Sequence, residues 1–231
     1  MHRELHLFLL RHGQTDSNAA GIVQGHLPVP LNELGHRQAA LLASRLTGAS
    51  PRIGRLISSD LPRAAQTAQP IARTLGLPIA FDAAWRERLL GEFQGKPVGE
   101  RRTWSLATGE ETPPGAESVA AFESRVRAAL DAIAPPPDGR AVAVVTHGGP
   151  VRLVLRMLSD GRLNVDGETP PPPPPPRIEN CSILQLHRTR EGRWRIACVN
   201  DASHLEELRT ATDEGVTFCS PRPRYSVGGG G

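Results

Sequence analysis

Four residues in this sequence, two arginines and two histidines, could do chemistry if the fold brings them together. Arg11 and His12 directly follow the apolar run LHLFLL (residues 5–10). Arg63 lies in SSDLPR, just after IGRLIS (53–58). His147 follows AVAVVT (141–146) and leads into Gly148, Gly149 and Pro150. Guanidinium groups bind phosphoryl oxygens through paired hydrogen bonds and stay charged at any working pH. A helix opening at Gly148-Gly149, with Pro150 in its first turn, offers backbone N–H groups and a partial positive charge to the same anion. The set therefore describes a pocket for a dianionic phosphoryl group that needs neither a metal ion nor a cofactor. Within it, a neutral imidazole at His12 is a competent nucleophile that can attack phosphorus in line and form a phosphohistidine. The surrounding cations should lower its pKa and keep it neutral.

The elements that must position these residues alternate along the chain. The short apolar run at 5–10 reads as a buried parallel strand rather than an amphipathic one, and 53–58, 77–81 and 141–146 read as further strands. Between them, Asn32 caps ELGHRQAALLASRLTG, which closes at Gly48. Pro62 opens PRAAQTAQPIARTLG, in which Pro70 is expected to kink or split the helix. ESVAAFESRVRAALDAI, from Glu117, has helical spacing, and GPVRLVLRMLS follows the fourth strand. CSILQLH (181–187) and WRIACVN (193–199) read as an edge pair around a short turn. The expected fold is therefore α/β: three layers, a doubly wound and mostly parallel sheet with helices on both faces, and a small insert over the site. One domain is expected over 1–207, with the insert at about 88–116 and a seven-proline loop at 170–176, read as an extended solvated spacer. A poorly ordered polar tail follows over 208–231. In such sheets, ligands bind beyond the carboxyl ends of the strands, where Arg11, His12, Arg63 and His147 fall.

Composition excludes several classes. The chain has 231 residues and a net charge of +3, but its basic residues are all Arg apart from Lys96, and aromatics make up 4%. There is no basic stripe with interleaved aromatics, so a nucleic-acid partner is not expected. Cys181, Cys198 and Cys219 are odd in number and widely spaced, which suggests reduced thiols rather than a disulfide framework or a zinc site. Arg3, Glu4 and His6 interrupt the N-terminal apolar residues and no run is long enough to cross a membrane, so a cytoplasmic protein without a membrane partner is expected. Homo-oligomerisation is left open.

The motifs LRHGQT, ISSDLPRAAQTA, RERLLGEFQGKP, VVTHGGPVR and VNDASHL occur in this order over roughly residues 5–205. Together they resemble the histidine phosphatase superfamily, in its phosphoglycerate-mutase-like branch. The resemblance implies that His12 accepts the phosphoryl group and that Arg11, Arg63 and His147 hold its oxygens. It implies further that Asn18 contacts the phosphate pocket and that Gln24 and Gly25 line the substrate mouth. Gln24 reads equally as part of a turn, and Thr15 equally as a phosphate contact or a loop-stabilising hydroxyl. An alcohol leaving group needs a proton donor, and the family spacing selects Glu87, ahead of Gly91 and Gly95, with Glu92 at the rim. Glu87 would protonate the leaving oxygen and then, as carboxylate, activate the hydrolytic water.

The expected function is a metal-independent phosphomonoesterase acting on a small phosphorylated metabolite, with specificity open and a broad range included. The alternative is a cofactor-dependent phosphoglycerate mutase. Mutases of this kind carry a longer insert and usually Gly-Asn after the second histidine, whereas this chain has a short insert and Gly148-Gly149. A non-catalytic binder of phosphorylated ligands is the third reading, and it has no use for both a nucleophile and an acid. Arg101-Arg102 reads as a solvated helix face or as a contact for a second anionic group.

Overall fold

In a computed structural model of the chain, which describes residues 3–165 and 177–210, a single six-stranded sheet runs through the molecule. Its strands are β1 (Leu5–Arg11), β2 (Ile53–Ser58), β3 (Ile79–Phe81), β4 (Ala141–Thr146), β5 (Ile183–Arg188) and β6 (Trp194–Asp201), arranged in the order β3-β2-β4-β1-β5-β6. β1, β2, β3 and β4 pair in parallel, whereas β5 pairs antiparallel to both β1 and β6. The result is the mostly parallel sheet, with one antiparallel edge pair, that the sequence leads one to expect.

All six residues of β4 are buried because helices cover both faces of the sheet. The helices are α1 (Asp16–Ala19), α2 (Glu33–Leu46), α3 (Pro62–Leu75), α4 (Val98–Thr108), α5 (Val119–Asp131), α6 (Gly148–Ser159) and α7 (Glu206–Thr210). Leu5, Leu7, Leu9, Val142 and Val144 pack on one face against Val126 and Leu130 of α5 and Val151, Val154 and Leu158 of α6. Phe8, Leu10, Ala143 and Val145 pack on the other face against Ala39, Leu42 and Leu46 of α2 and Ala64, Ala68 and Ile71 of α3. This alternation along β1 is the period-2 rule of a strand buried on both sides.

One local expectation changes and two details are added. Pro70 does not split α3, which runs unbroken from Pro62 to Leu75, because one missing N–H is outweighed by the burial of Ala64, Thr67, Ala68 and Ile71 against the sheet. The connection after β1 is not all loop: Thr15 and Asn18 close a capping box around the four-residue α1. The insert has structure of its own, a 3-10 turn over Gly91–Phe93 followed by α4, on which Arg102 is exposed and Arg101 half-buried. The seven-proline run lies outside the described residues, as does the tail beyond 210. α7 occupies the first three residues of the stretch expected to be that tail.

Candidate active site

Strand register places the chemistry-bearing residues side by side. Arg11 faces Thr146 in the β1–β4 pairing, and Ser58 faces Val145 in the β2–β4 pairing. The ladder continues one residue past the strand ends: His12 N–H donates to Thr146 O at 2.9 Å and Ser59 N–H to Val145 O at 2.9 Å. His12 and Ser59 are thereby held by backbone bonds on one rim of the sheet, where His147 directly follows β4. Gly13 turns the chain away from that rim at a point where α2 comes close. A Cβ there would lie 2.6 Å from the Gly35 carbonyl oxygen, so the position takes only glycine.

The two imidazole rings meet edge to face with centroids 5.1 Å apart, and both are buried, His12 at 3% and His147 at 0% exposure. His12 Nδ1 lies 2.7 Å from the Gly13 carbonyl oxygen, which can only accept, so Nδ1 carries the proton and Nε2 keeps its lone pair. The Nε–H of Arg63 agrees with this, since it donates to His12 Nε2 at 3.3 Å and to His147 Nδ1 at 3.2 Å. With its Nδ1 accepting, neutral His147 must protonate on Nε2, and that N–H donates to Ser59 Oγ at 2.8 Å. Burial, reinforced by the charges of Arg63 and Arg11, holds the pKa of His12 well below 6.5 against the opposing bond to Gly13. Burial likewise holds His147 well below its ordinary value, with Arg63 as the next largest cause. Both rings are therefore neutral at pH 7, each in one tautomer.

The cations are buried as well. Burial draws Arg11 down to about 10, opposed by the negative charge of Glu87. Arg63, 1% exposed, is drawn down to about 10 in the same way. Both remain charged at neutral pH. Arg63 does not present its fork to the pocket: Nη1 donates to Leu27 O at 3.0 Å and Nη2 to Gly25 O at 2.7 Å, so only its Nε–H faces the histidines. Arg11 donates through Nη1 to Ile178 O, while its Nε is sealed from solvent without a hydrogen-bond partner and lies beside Gly148.

Glu87 arrives from the segment between β3 and the insert. Its Oε2 accepts the Gly149 N–H at 3.0 Å and its Oε1 the Arg88 N–H at 2.9 Å. The carboxylate thus caps α6 from outside, where the helix dipole favours negative charge. It also occupies the space a Cβ at Gly149 would need, which accounts for the second glycine. This corrects one expectation: the Gly149 N–H is taken by Glu87 and is not offered to an anion, so of the two glycine N–H groups at the start of α6 only that of Gly148 is left for one.

The remaining candidates divide. Gly25 is tied in through Arg63, and Gln24 is buried with its Oε1 unpartnered. Asn18 Oδ1 accepts from Asn180 Nδ2 at 3.1 Å, and the same Asn180 amide donates to the backbone oxygen of His12 at 3.0 Å. Thr15 is fully buried and spends its hydroxyl on the Asn18 N–H at 3.1 Å, so it stabilises the loop. Glu92 is exposed in the Gly91–Phe93 turn, as a rim residue should be.

Four residues of the arrangement were not singled out in the sequence. Asn180 precedes β5, and an antiparallel strand starts on the same rim where parallel strands end, so inspecting only strand carboxyl ends passes it by. Ser59 follows β2 and was visible only by position. Arg125, in mid-α5, pairs with both oxygens of Glu117 at 2.9 and 2.7 Å. It also donates to the carbonyls of Ala84 at 2.8 Å, Arg86 at 3.1 Å and Glu87 at 3.4 Å. His26 Nε2 donates to Glu87 O at 2.7 Å. Arg125 and His26 thus hold the backbone that carries Glu87, and no spacing rule marks either.

Known proteins are similar to this chain. Phosphoglycerate mutase-like protein 4 of Arabidopsis thaliana is 34% identical over 211 residues, covering 87% of both chains. A metal-independent phosphoserine phosphatase of the same plant is 33% identical over 212 residues, covering 87% of this chain and 84% of its own. Among solved structures, mycobacterial glucosyl-3-phosphoglycerate phosphatase superposes with a TM-score of 0.67 at 30% identity, covering 86% of this chain and 99% of its own. The family model for the histidine phosphatase superfamily (branch 1) spans residues 7–202, from within β1 to just past β6, and so takes in every residue of the rim; the chain belongs to that family.

Proposed function

We propose that the protein is a metal-independent phosphomonoesterase that transfers a phosphoryl group from a small metabolite to His12 and then to water. The observation that carries this reading is the fixed tautomer of His12: Nδ1–H is committed to Gly13 O, leaving Nε2 as a buried lone pair flanked by Arg11 and Arg63. Nε2 attacks phosphorus and the ester P–O bond breaks, while the Arg63 Nε–H, the Arg11 guanidinium and the Gly148 N–H take up the charge on the equatorial oxygens; His147, an acceptor at Nδ1 in the free site, joins them only when that nitrogen is protonated. Glu87, entering the step protonated, gives its proton to the departing alkoxide and regains one from the water that attacks the phosphohistidine. Phosphomonoester hydrolysis is among the slowest uncatalysed reactions, so in-line placement and fixed charge must supply on the order of 20 kcal/mol.

The phosphatase names among the relatives support hydrolysis. The mutase-like name of another relative supports a second reading, in which the phosphohistidine returns its phosphoryl group to a glycerate. One experiment tests both. Purified protein, with chelator present, is given a panel of phosphomonoesters alongside 3-phosphoglycerate with 2,3-bisphosphoglycerate. Phosphate release from several esters without isomerisation supports the phosphatase reading, and isomerisation with little release replaces it with the mutase.

A further inference from the structure

At the opposite end of β1 from the phosphoryl pocket, two imidazoles and a carboxylate come together. His6 of β1 and His187 of β5 are direct partners in the antiparallel register, and their rings stack with centroids 4.4 Å apart and planes 6° from parallel. Glu4 lies two residues before His6 and so on the same side of the strand. One donor atom from each of the three falls within 4.8 Å of the other two. The Nε2 of His187 is sealed from solvent and has no hydrogen-bond partner, an unsatisfied state that buried polar atoms rarely keep.

We propose that Glu4, His6 and His187 form a binding site for a divalent transition-metal ion, zinc above all, separate from the phosphoryl pocket and structural in effect. Two imidazole nitrogens and one carboxylate oxygen suit zinc, cobalt or nickel, whereas magnesium and calcium prefer oxygen donors throughout. Three protein donors leave the coordination sphere to be completed by water. Two neighbours limit the affinity: Arg190 Nε lies 3.5 Å from Glu4 Oε1 and must release it, and Arg195 stands opposite His187 in the β5–β6 register. Stacked rings cannot both aim a lone pair at one ion, so one imidazole turns about its Cβ–Cγ bond on binding and the stack opens. His6 is six residues from His12 along β1, roughly 20 Å at the rise of an extended strand, so the ion ties β1 to β5 without touching the reaction.

The untagged full chain, stripped with chelator, is titrated with Zn2+ against a chromophoric competitor and with Co2+ by visible absorption. The proposal expects one ion per chain, a melting temperature raised by Zn2+, and unchanged phosphate release. It expects affinity to fall by at least about tenfold in His6→Gln and in His187→Gln. Glu4→Gln, at an exposed position, serves if a histidine variant fails to fold, and it too must weaken binding. Absence of saturable binding overturns the site, as does binding that all the variants leave unchanged.

Discussion

Replacing Glu87 by Gln is the most informative perturbation of the proposed proton donor, because the structure shows what the substitution must break. Both carboxylate oxygens accept backbone N–H groups, from Gly149 at 3.0 Å and Arg88 at 2.9 Å. An amide offers one acceptor and one NH2, so one of the two N–H groups is left facing a donor. The local loss is about 1–3 kcal/mol, and the side chain shifts to keep a single bond. Far larger is the loss of the proton: general acid catalysis is worth about 10²–10⁴-fold, or roughly 2.7–5.4 kcal/mol of barrier. An alkyl phosphate, whose alkoxide cannot leave unprotonated, should lose that factor in the first step. A p-nitrophenyl ester, whose phenolate needs no proton, should not. In the variant the second step slows as well, because the water loses its base. Quench-flow of Glu87→Gln with p-nitrophenyl phosphate should therefore give a burst of about one phenolate per site followed by slow turnover, the kinetic mark of an accumulated covalent intermediate. The alkyl ester should show no burst. Equal loss on both esters without a burst, or parental turnover on the alkyl ester, refutes the assignment.

Other outcomes follow from the same geometry. Chelators should leave phosphate release unchanged even where they lower the melting temperature through the Glu4–His6–His187 site, because Arg11 and Arg63 carry the positive charge of the pocket; loss of activity restored by one metal would contradict this. Asn180→Ala removes one donor each from His12 O and Asn18 Oδ1, which keep the Cys181 and Thr15 N–H groups at 3.3 Å, so at a site 6% exposed each lost bond should cost about 0.5–1.5 kcal/mol. Calorimetry should register a melting temperature several degrees lower. His12 and His147 are neutral in the folded state and have an ordinary pKa of about 6.5 when unfolded, with their folded values well below that. Their contribution to stability is therefore complete above pH 6.5 and is lost as pH falls from there towards the folded values, because only the unfolded chain takes up the protons. Urea midpoints at pH 7.5 and pH 5.5 should differ in that direction, and less so in His12→Gln.

The sequence made the rim of the candidate site legible because three parallel strands end in it. Apolar runs locate the strands, and the residues directly after them, His12, Ser59 and His147, have no freedom to be elsewhere once the ladder continues past the strand ends. Arg63 was visible at the first turn of α3, but its orientation was not: whether its fork faces the ligand or the Gly25–Leu27 backbone depends on how the loop before α2 folds back. Glu87 required the family spacing, since the segment after β3 has no periodicity. The capping of α6 by Glu87 is a contact between segments about sixty residues apart, and sequence cannot announce it. Asn180, Arg125 and His26 escaped notice for the same reason: each acts on a backbone carbonyl, which leaves no pattern in side-chain types.

The central claim is that His12 Nε2 forms a bond to phosphorus. Protein mixed briefly with 32P-labelled p-nitrophenyl phosphate, quenched in alkali and digested, should carry label in the peptide containing His12, stable in alkali and lost in acid as a P–N bond is. Trapping should be strongest in Glu87→Gln and absent in His12→Ala. Label on another residue, or turnover without any label in Glu87→Gln, would contradict the account.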